Sequence, residues 1–130
     1  MKLAFIIQAR LGSSRLPKKM ILPFYNEWSI LDIIIEKIKF NFPDDLLILA
    51  TSVNKENDIL EQKALEKNCL LFRGNENNVL ERFYEAATHY RVDNIIRICA
   101  DNPFLDMDEL KRLKKFANEN SEKDYIGFEI

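Results

Sequence analysis

Leu3-Ala4-Phe5-Ile6-Ile7 runs without a break into Gln8-Ala9-Arg10-Leu11-Gly12-Ser13-Ser14-Arg15-Leu16-Pro17-Lys18-Lys19. The first five residues are aliphatic or aromatic throughout, the pattern of a short buried strand. Two arginines, two lysines, two hydroxyls and a glycine then fall between Arg10 and Lys19. Such a loop offers fixed positive charge and free backbone N–H groups, which suit the oxygens of a polyphosphate. By composition alone it reads as a solvated basic loop. Its position favours a ligand, because open α/β sheets hold ligands at the carboxyl ends of their strands.

The rest of the chain repeats the strand-then-helix theme. Ser29 is placed to cap a helix, with Asp32 as its partner in a capping box. Leu31, Ile34, Ile35 and Ile38 form one apolar stripe, and Asn41-Phe42-Pro43 ends the helix. Leu46 to Ala50 is continuous and apolar, as in a strand covered on both faces, and Thr51-Ser52-Val53-Asn54 reads as the loop after it. A helix is expected from about Asn57 to Lys67, with Leu60, Ala64 and Leu65 inward. Cys69 to Phe72 is a third strand, broken by Arg73-Gly74-Asn75-Glu76-Asn77. Asn78, with Glu81 three positions on, caps a helix whose stripe is Leu80, Phe83, Ala87 and Tyr90. Phe83, Tyr84 and Tyr90 are expected in the core. Asn94 to Ala100 is a fourth strand, stopped by Asp101-Asn102-Pro103. Asp106, with Glu109, opens a helix carrying Leu110, Leu113 and Ala117, and a fifth strand is expected to start within Asp124 to Phe128. Strand and helix alternate, which implies right-handed βαβ crossovers and a mainly parallel sheet.

The bulk numbers agree with a folded globule. The chain has 130 residues, 47% hydrophobic and 31% charged, which fits one α/β domain over 1–130. Nineteen basic residues against 21 acidic give a net charge of −2, so a general nucleic-acid binder is not expected. Cys69 and Cys99 lie far apart in apolar surroundings and read as buried thiols, and no C-x-x-C spacing points to zinc. His89, the single histidine, reads as a surface or packing residue. No apolar stretch approaches the ~20 residues of a membrane span, and the start, Met1-Lys2-Leu3, does not read as a secretory signal. A cytoplasmic location is expected. The last expected strand begins just before the sequence stops at Ile130, the pattern of a chain ending inside a larger domain.

Two phosphate-loop signatures fail. The dinucleotide fingerprint needs three glycines after the first strand, and only Gly12 stands there. A P-loop counted from Gly12 would need glycine where Pro17 stands and a hydroxyl where Lys19 stands. The loop from Gln8 to Pro17 with Lys19 instead resembles the signature of the sugar-activating cytidylyltransferases. The branch is that of spore-coat polysaccharide biosynthesis protein F, with acylneuraminate and 3-deoxy-manno-octulosonate cytidylyltransferases as wider relatives. Leu49-Ala50-Thr51-Ser52, Phe72-Arg73-Gly74-Asn75-Glu76 with Val79 to Tyr84, and Arg97 to Asp106 carry the resemblance further, in the family's order.

The resemblance implies a nucleotide-diphospho-sugar transferase fold, a Rossmann-like α/β/α sandwich. It implies transfer of CMP from CTP to a surface-polysaccharide sugar, acylneuraminate-like or other, with release of pyrophosphate. Arg10, Arg15 and Lys19 would hold the triphosphate, as guanidinium forks and a point charge can. Gly12, Ser13 and Ser14 would donate backbone N–H groups. Ala9 sits where relatives contact the base through the main chain, and Thr51 and Ser52 could line the base pocket. Asp101 is the expected ligand of a Mg2+ ion, which needs only one or two carboxylates besides phosphates and waters. Arg73 and Arg82 are weaker substrate candidates that could equally stay solvated. Arg97, inside a strand, is expected only to pair with a carboxylate.

Three features depart from the family pattern. Lys18 stands where glycine usually follows the loop proline, and Asn77-Asn78 stands where acidic residues are frequent in the relatives. The relatives are also about twice as long, and their second half supplies a further metal ligand, much of the sugar pocket and dimer contacts. A homodimer or a C-terminal partner is therefore expected. The alternatives are a non-catalytic nucleotide-binding module and a glycosyltransferase of the same fold. For the last, Asp106-Met107-Asp108 has the required spacing, though Asp106 reads better as a helix cap.

Overall fold

In the computed structural model, residues 2–9, 23–25, 28–75, 78–99 and 106–119 are described. The strands β1 (Leu3–Gln8), β4 (Leu46–Ser52), β5 (Leu70–Gly74) and β6 (Asn94–Cys99) form one sheet in the order β5-β4-β1-β6. Every pairing in it is parallel. Between β1 and the first long helix, β2 (Pro23–Tyr25) and β3 (Trp28–Ser29) make a small antiparallel pair. The helices are α1 (Ile30–Asn41), α2 (Asp58–Glu66), α3 (Val79–His89) and α4 (Met107–Glu119), with a short 3-10 turn at Lys55–Asn57.

The apolar runs fail to alternate because each strand feeds two cores. Leu3, Phe5 and Ile7 of β1 join Leu47, Leu49, Ile96 and Ile98 on one face, under α1, α2 and Leu110 of α4. Ala4 and Ile6 join Ile48 and Ala50 on the other face, against Phe83 and Ala86 of α3. Successive side chains point to opposite faces, so a strand buried on both needs apolar residues at every position. The path runs from β1 outward to β4 and β5 with α1 and α2 on one face. It then returns across the sheet to β6 with α3 on the other. Changing face with direction is what crossovers of a single hand require.

The caps behave as the sequence implies. Ser29 and Asp32 form a full capping box at α1, and Asn78 accepts from the Glu81 N–H at α3. Asp106 Oδ1 accepts from the N–H groups of Asp108 and Glu109 at the start of α4. That is the work of a helix cap, and it removes the reason to read Asp106 and Asp108 as a metal motif. Leu31, Ile34, Ile35 and Ile38 are all buried, and α1 ends at Asn41.

Other expectations need correction. Thr51 and Ser52 belong to β4, and Arg73 and Gly74 belong to β5, because parallel pairing of Thr51 with Arg73 and Ser52 with Gly74 extends both strands. Leu65 is exposed on α2, and Leu80 and Tyr84 are exposed on α3 at 77% and 72%. The inward stripe of α3 is set instead by Arg82, Phe83 and Ala86, since this helix covers chiefly β4 and β5. Tyr90 is half-buried, and its hydroxyl donates to the Leu71 carbonyl at 2.6 Å. Arg97 lies over the Phe83 ring, 5.0 Å from its centroid, where an ion pair was expected. His89 sits at the surface against Phe72 and edge-on to Tyr90. Cys69 is a free, partly buried thiol whose pKa burial pushes up to about 12. Cys99 ends β6, and its side chain, like that of Ala117, is outside the described residues, as is the strand expected near Asp124.

Candidate functional site at the carboxyl edge of the sheet

The strand order reverses between β1 and β6, and the parallel register sets Gln8 opposite Cys99. Ala9 continues the sheet on the other side, donating its N–H to the Ala50 carbonyl at 3.0 Å. The carboxyl ends of β1, β4 and β6 therefore stand side by side. In sequence, Arg10 follows two residues after Gln8, and Asp101 two residues after Cys99. Arg10, Gly12, Ser13, Ser14, Arg15, Lys18, Lys19 and Asp101 all lie outside the described residues.

Ala9 and Thr51 share this edge and the α1 face, because Ala9 continues the odd-numbered core residues of β1 and Thr51 those of β4. Both are fully buried. Thr51 Oγ1 has no hydrogen-bond partner among the described residues. Buried hydroxyls are normally paired, so this atom is an unexplained polar group at the place where a ligand would lie.

Next to Thr51, the turn that leaves β4 is tightly bonded. Ser52 Oγ accepts from the Asn57 side-chain amide at 2.7 Å and from the Asn54 N–H at 3.2 Å. Asn57 is fully buried, and Val53 N–H reaches the Gly74 carbonyl. Arg73 spans the turn from the neighbouring strand. Its Nε donates to the Ser52 carbonyl, one terminal nitrogen to the Asn54 carbonyl, and the other to Asp58 Oδ1 at 2.8 Å. Arg73 is thus neither solvated nor reaching outward. Sequence reading put Thr51 to Asn54 in a loop and opened a helix at about Asn57; the spacing of Ser52, Asn54, Asn57 and Asp58 is the signal it held for the bonded turn.

Arg82 also differs from a solvated helix residue. Its side chain is 1% exposed, and it donates to the Asn75 carbonyl at 2.7 Å. It packs beneath Gly74, where an added Cβ would come within 3.2 Å of Arg82 Cγ. The arginine therefore ties α3 to the end of β5 at Gly74 and Asn75.

On the α1 face near the same edge lies a buried acid. Asp32 accepts from the Ser29 N–H and hydroxyl at 3.0 and 2.9 Å, and from Lys63 Nζ at 3.0 Å. Burial pushes its pKa up, but the Ser29 and Lys63 bonds outweigh that and leave it below the ordinary value. Its charge is thereby used inside the fold. Among the described residues no group of three or more His, Cys, Asp or Glu side chains could hold a metal ion.

A parallel sheet wound in both directions defines a doubly wound α/β protein, a fold that holds ligands at the carboxyl ends of its strands. The cytidylyltransferase family model matches residues 4–128, and the chain belongs to that family. It is 36% identical over 127 residues to an uncharacterised protein of Methanocaldococcus jannaschii, covering 98% of this chain and 51% of that one. It is 35% identical over 127 residues to the spore coat polysaccharide biosynthesis protein SpsF of Bacillus subtilis, covering 94% and 52%. A solved cytidylyltransferase from Leptospira borgpetersenii superposes with a TM-score of 0.86 at 33% identity, over 92% of this chain and 50% of that one. CMP:2-keto-3-deoxy-manno-octonic acid synthetase, solved in complex with CTP, shares the fold with a TM-score of 0.76 at 20% identity, over 92% and 48%. The chain spans about half the length of the curated relatives it matches. Among the described residues no helix is long and apolar enough to cross a membrane.

Proposed function

We propose that this chain binds CTP at the shared carboxyl edge of β1, β4 and β6, as the nucleotide half of an enzyme that transfers CMP to a sugar. The observation that carries the reading is the parallel register of Gln8 with Cys99, in a chain of the cytidylyltransferase family. That register joins the strand before the basic loop to the strand before Asp101.

In the proposed reaction a sugar hydroxyl attacks the α-phosphorus of CTP. The new oxygen–phosphorus bond forms as the α–β anhydride bond breaks, pyrophosphate leaves with that electron pair, and the hydroxyl proton passes to solvent. The protein's share is alignment and neutralisation of charge. Arg10, Arg15 and Lys19 hold the triphosphate, while Gly12, Ser13 and Ser14 present backbone N–H groups to it. Ala9 meets the base through its main chain, and Thr51 Oγ1 supplies a hydroxyl to the base pocket. Asp101 would be the chain's ligand to Mg2+, together with phosphate oxygens and waters; the ion, when bound, offsets the phosphate charge. The sugar pocket would be completed by sequence beyond the matched half, by a second copy, or by a second polypeptide.

A second reading is a nucleotide-binding module without turnover. It keeps the CTP site and needs no sugar pocket.

Calorimetry with CTP tests the common core of both readings. Arg15→Ala should weaken binding by about 2 kcal/mol, the loss expected of a charge-assisted bond. Equal affinity in variant and parent would remove Arg15 from the phosphate site. Pyrophosphate release on adding candidate sugars then separates enzyme from module.

A further inference from the structure

Arg73 stands on β5 beside Thr51 in the parallel register, on the face that α2 covers. Its guanidinium joins three elements. Nε bonds the Ser52 carbonyl at 2.9 Å, at the end of β4. A terminal nitrogen bonds the Asn54 carbonyl at 2.9 Å, in the following turn. The other terminal nitrogen pairs with Asp58 at 2.8 Å and lies 3.5 Å from Glu61, both on α2. The rigid fork of arginine can satisfy several acceptors held in one plane, which a lysine ammonium at the end of a flexible stem does not match.

We infer that Arg73 is a positioning residue for the nucleotide site: it locks the Ser52–Asp58 turn onto the carboxyl end of β4, and through that turn fixes Thr51. The inference rests on the CTP reading above. The bonds of Arg73 point into the turn. Thr51 is one residue from the first carbonyl that Arg73 holds, and its hydroxyl has no partner among the described residues. Asp58 takes part only from the far side. Its side chain is 60% exposed, and it is tied to the turn through Arg73.

If the turn keeps its bound geometry only about a tenth of the time once Arg73 is removed, apparent CTP affinity falls about tenfold. In sequence the basic segment follows a different strand, β1, so a ligand made of phosphates alone should not sense the change.

The test uses the 130-residue chain as parent, with Arg73→Gln, Asp58→Asn and the double variant. Each is titrated with CTP and with inorganic triphosphate by calorimetry, and amide exchange is read over 53–57. Arg73→Gln should raise the CTP Kd about tenfold, leave the triphosphate Kd unchanged, and speed exchange in the turn while the β1 and β4 amides stay protected. Asp58→Asn should shift the CTP Kd in the same direction, and the double variant should match Arg73→Gln alone, as coupled residues do. If Arg73→Gln does not fold, Asp58→Asn decides by its CTP Kd and turn exchange, because it is a surface change. A silent Asp58→Asn, or equal losses for CTP and triphosphate in Arg73→Gln, would overturn the inference and make Arg73 a ligand contact. A parent that bound no CTP would instead overturn the nucleotide reading, and the inference with it.

Discussion

Thr51→Val separates a ligand role from a folding role by the signs of two effects. Valine keeps the branched shape and replaces one buried hydroxyl with a methyl. The hydroxyl is fully buried and has no partner among the described residues, so the apo fold carries its desolvation. An unsatisfied buried polar group costs about 1–3 kcal/mol. Valine also suits a central strand such as β4, paired on both sides. The variant should therefore unfold with about 1 kcal/mol more free energy, taking the low end because the methyl must still be packed. For a domain of this size that is roughly 3–5 °C in Tm. The same hydroxyl, if it meets the base, contributes about 1 kcal/mol to binding. Losing it should raise the CTP Kd about fivefold. Urea denaturation followed by circular dichroism gives the first number, and calorimetry the second. A variant less stable than the parent would show that the hydroxyl is already paired in the apo protein. A stabilised variant with unchanged CTP affinity would remove Thr51 from the pocket.

The remaining predictions concern the frame and the ion. Asp32→Ala leaves Lys63 Nζ and the Ser29 N–H without their acceptor, and should lower unfolding free energy by about 3 kcal/mol in urea titration. Because the folded Asp32 titrates below the ordinary aspartate value of 3.8, its contribution is complete above that pH and fades as pH falls through the lower folded value. The acid limb of the stability curve should therefore flatten in Asp32→Asn; an unchanged limb would refute the assignment. Gly74→Ala places a methyl 2.9 Å from Phe72 Cε2, a ring packed in the second core, and should cost about 1–2 kcal/mol by the same denaturation assay. Asp101→Asn should remove the Mg2+ dependence of CTP affinity while leaving the circular dichroism spectrum unchanged; a retained dependence would move the ion elsewhere.

Local signals carried most of the architecture. Ser29 with Asp32, Asn78 with Glu81 and Asp106 with Glu109 mark helix starts because each cap is satisfied within one turn of chain. Strand ends were less legible. Thr51-Ser52 and Arg73-Gly74 look like loop composition, yet they pair because the neighbouring strand offers ladder partners. Helix faces were legible only in part. Leu65, Leu80 and Tyr84 fit an apolar stripe by spacing, but the sheet beneath α2 and α3 meets other residues of those helices. Arg82 is the reverse case, a charge buried where spacing alone offers no sign of a backbone carbonyl to meet it.

The sequence by itself determined that strands alternate with helices, that the sheet is parallel, and that a basic segment follows the first strand. These depend on composition and short-range order, which the chain carries locally. Only the tertiary structure decided which strands are neighbours, and hence that β1 and β6 end together. It alone showed the Arg73 guanidinium bonded into the turn after β4, and the Thr51 hydroxyl without a partner among the described residues. Such facts belong to pairs of residues far apart in the chain, so they exist only once the sheet has brought those residues within bonding distance.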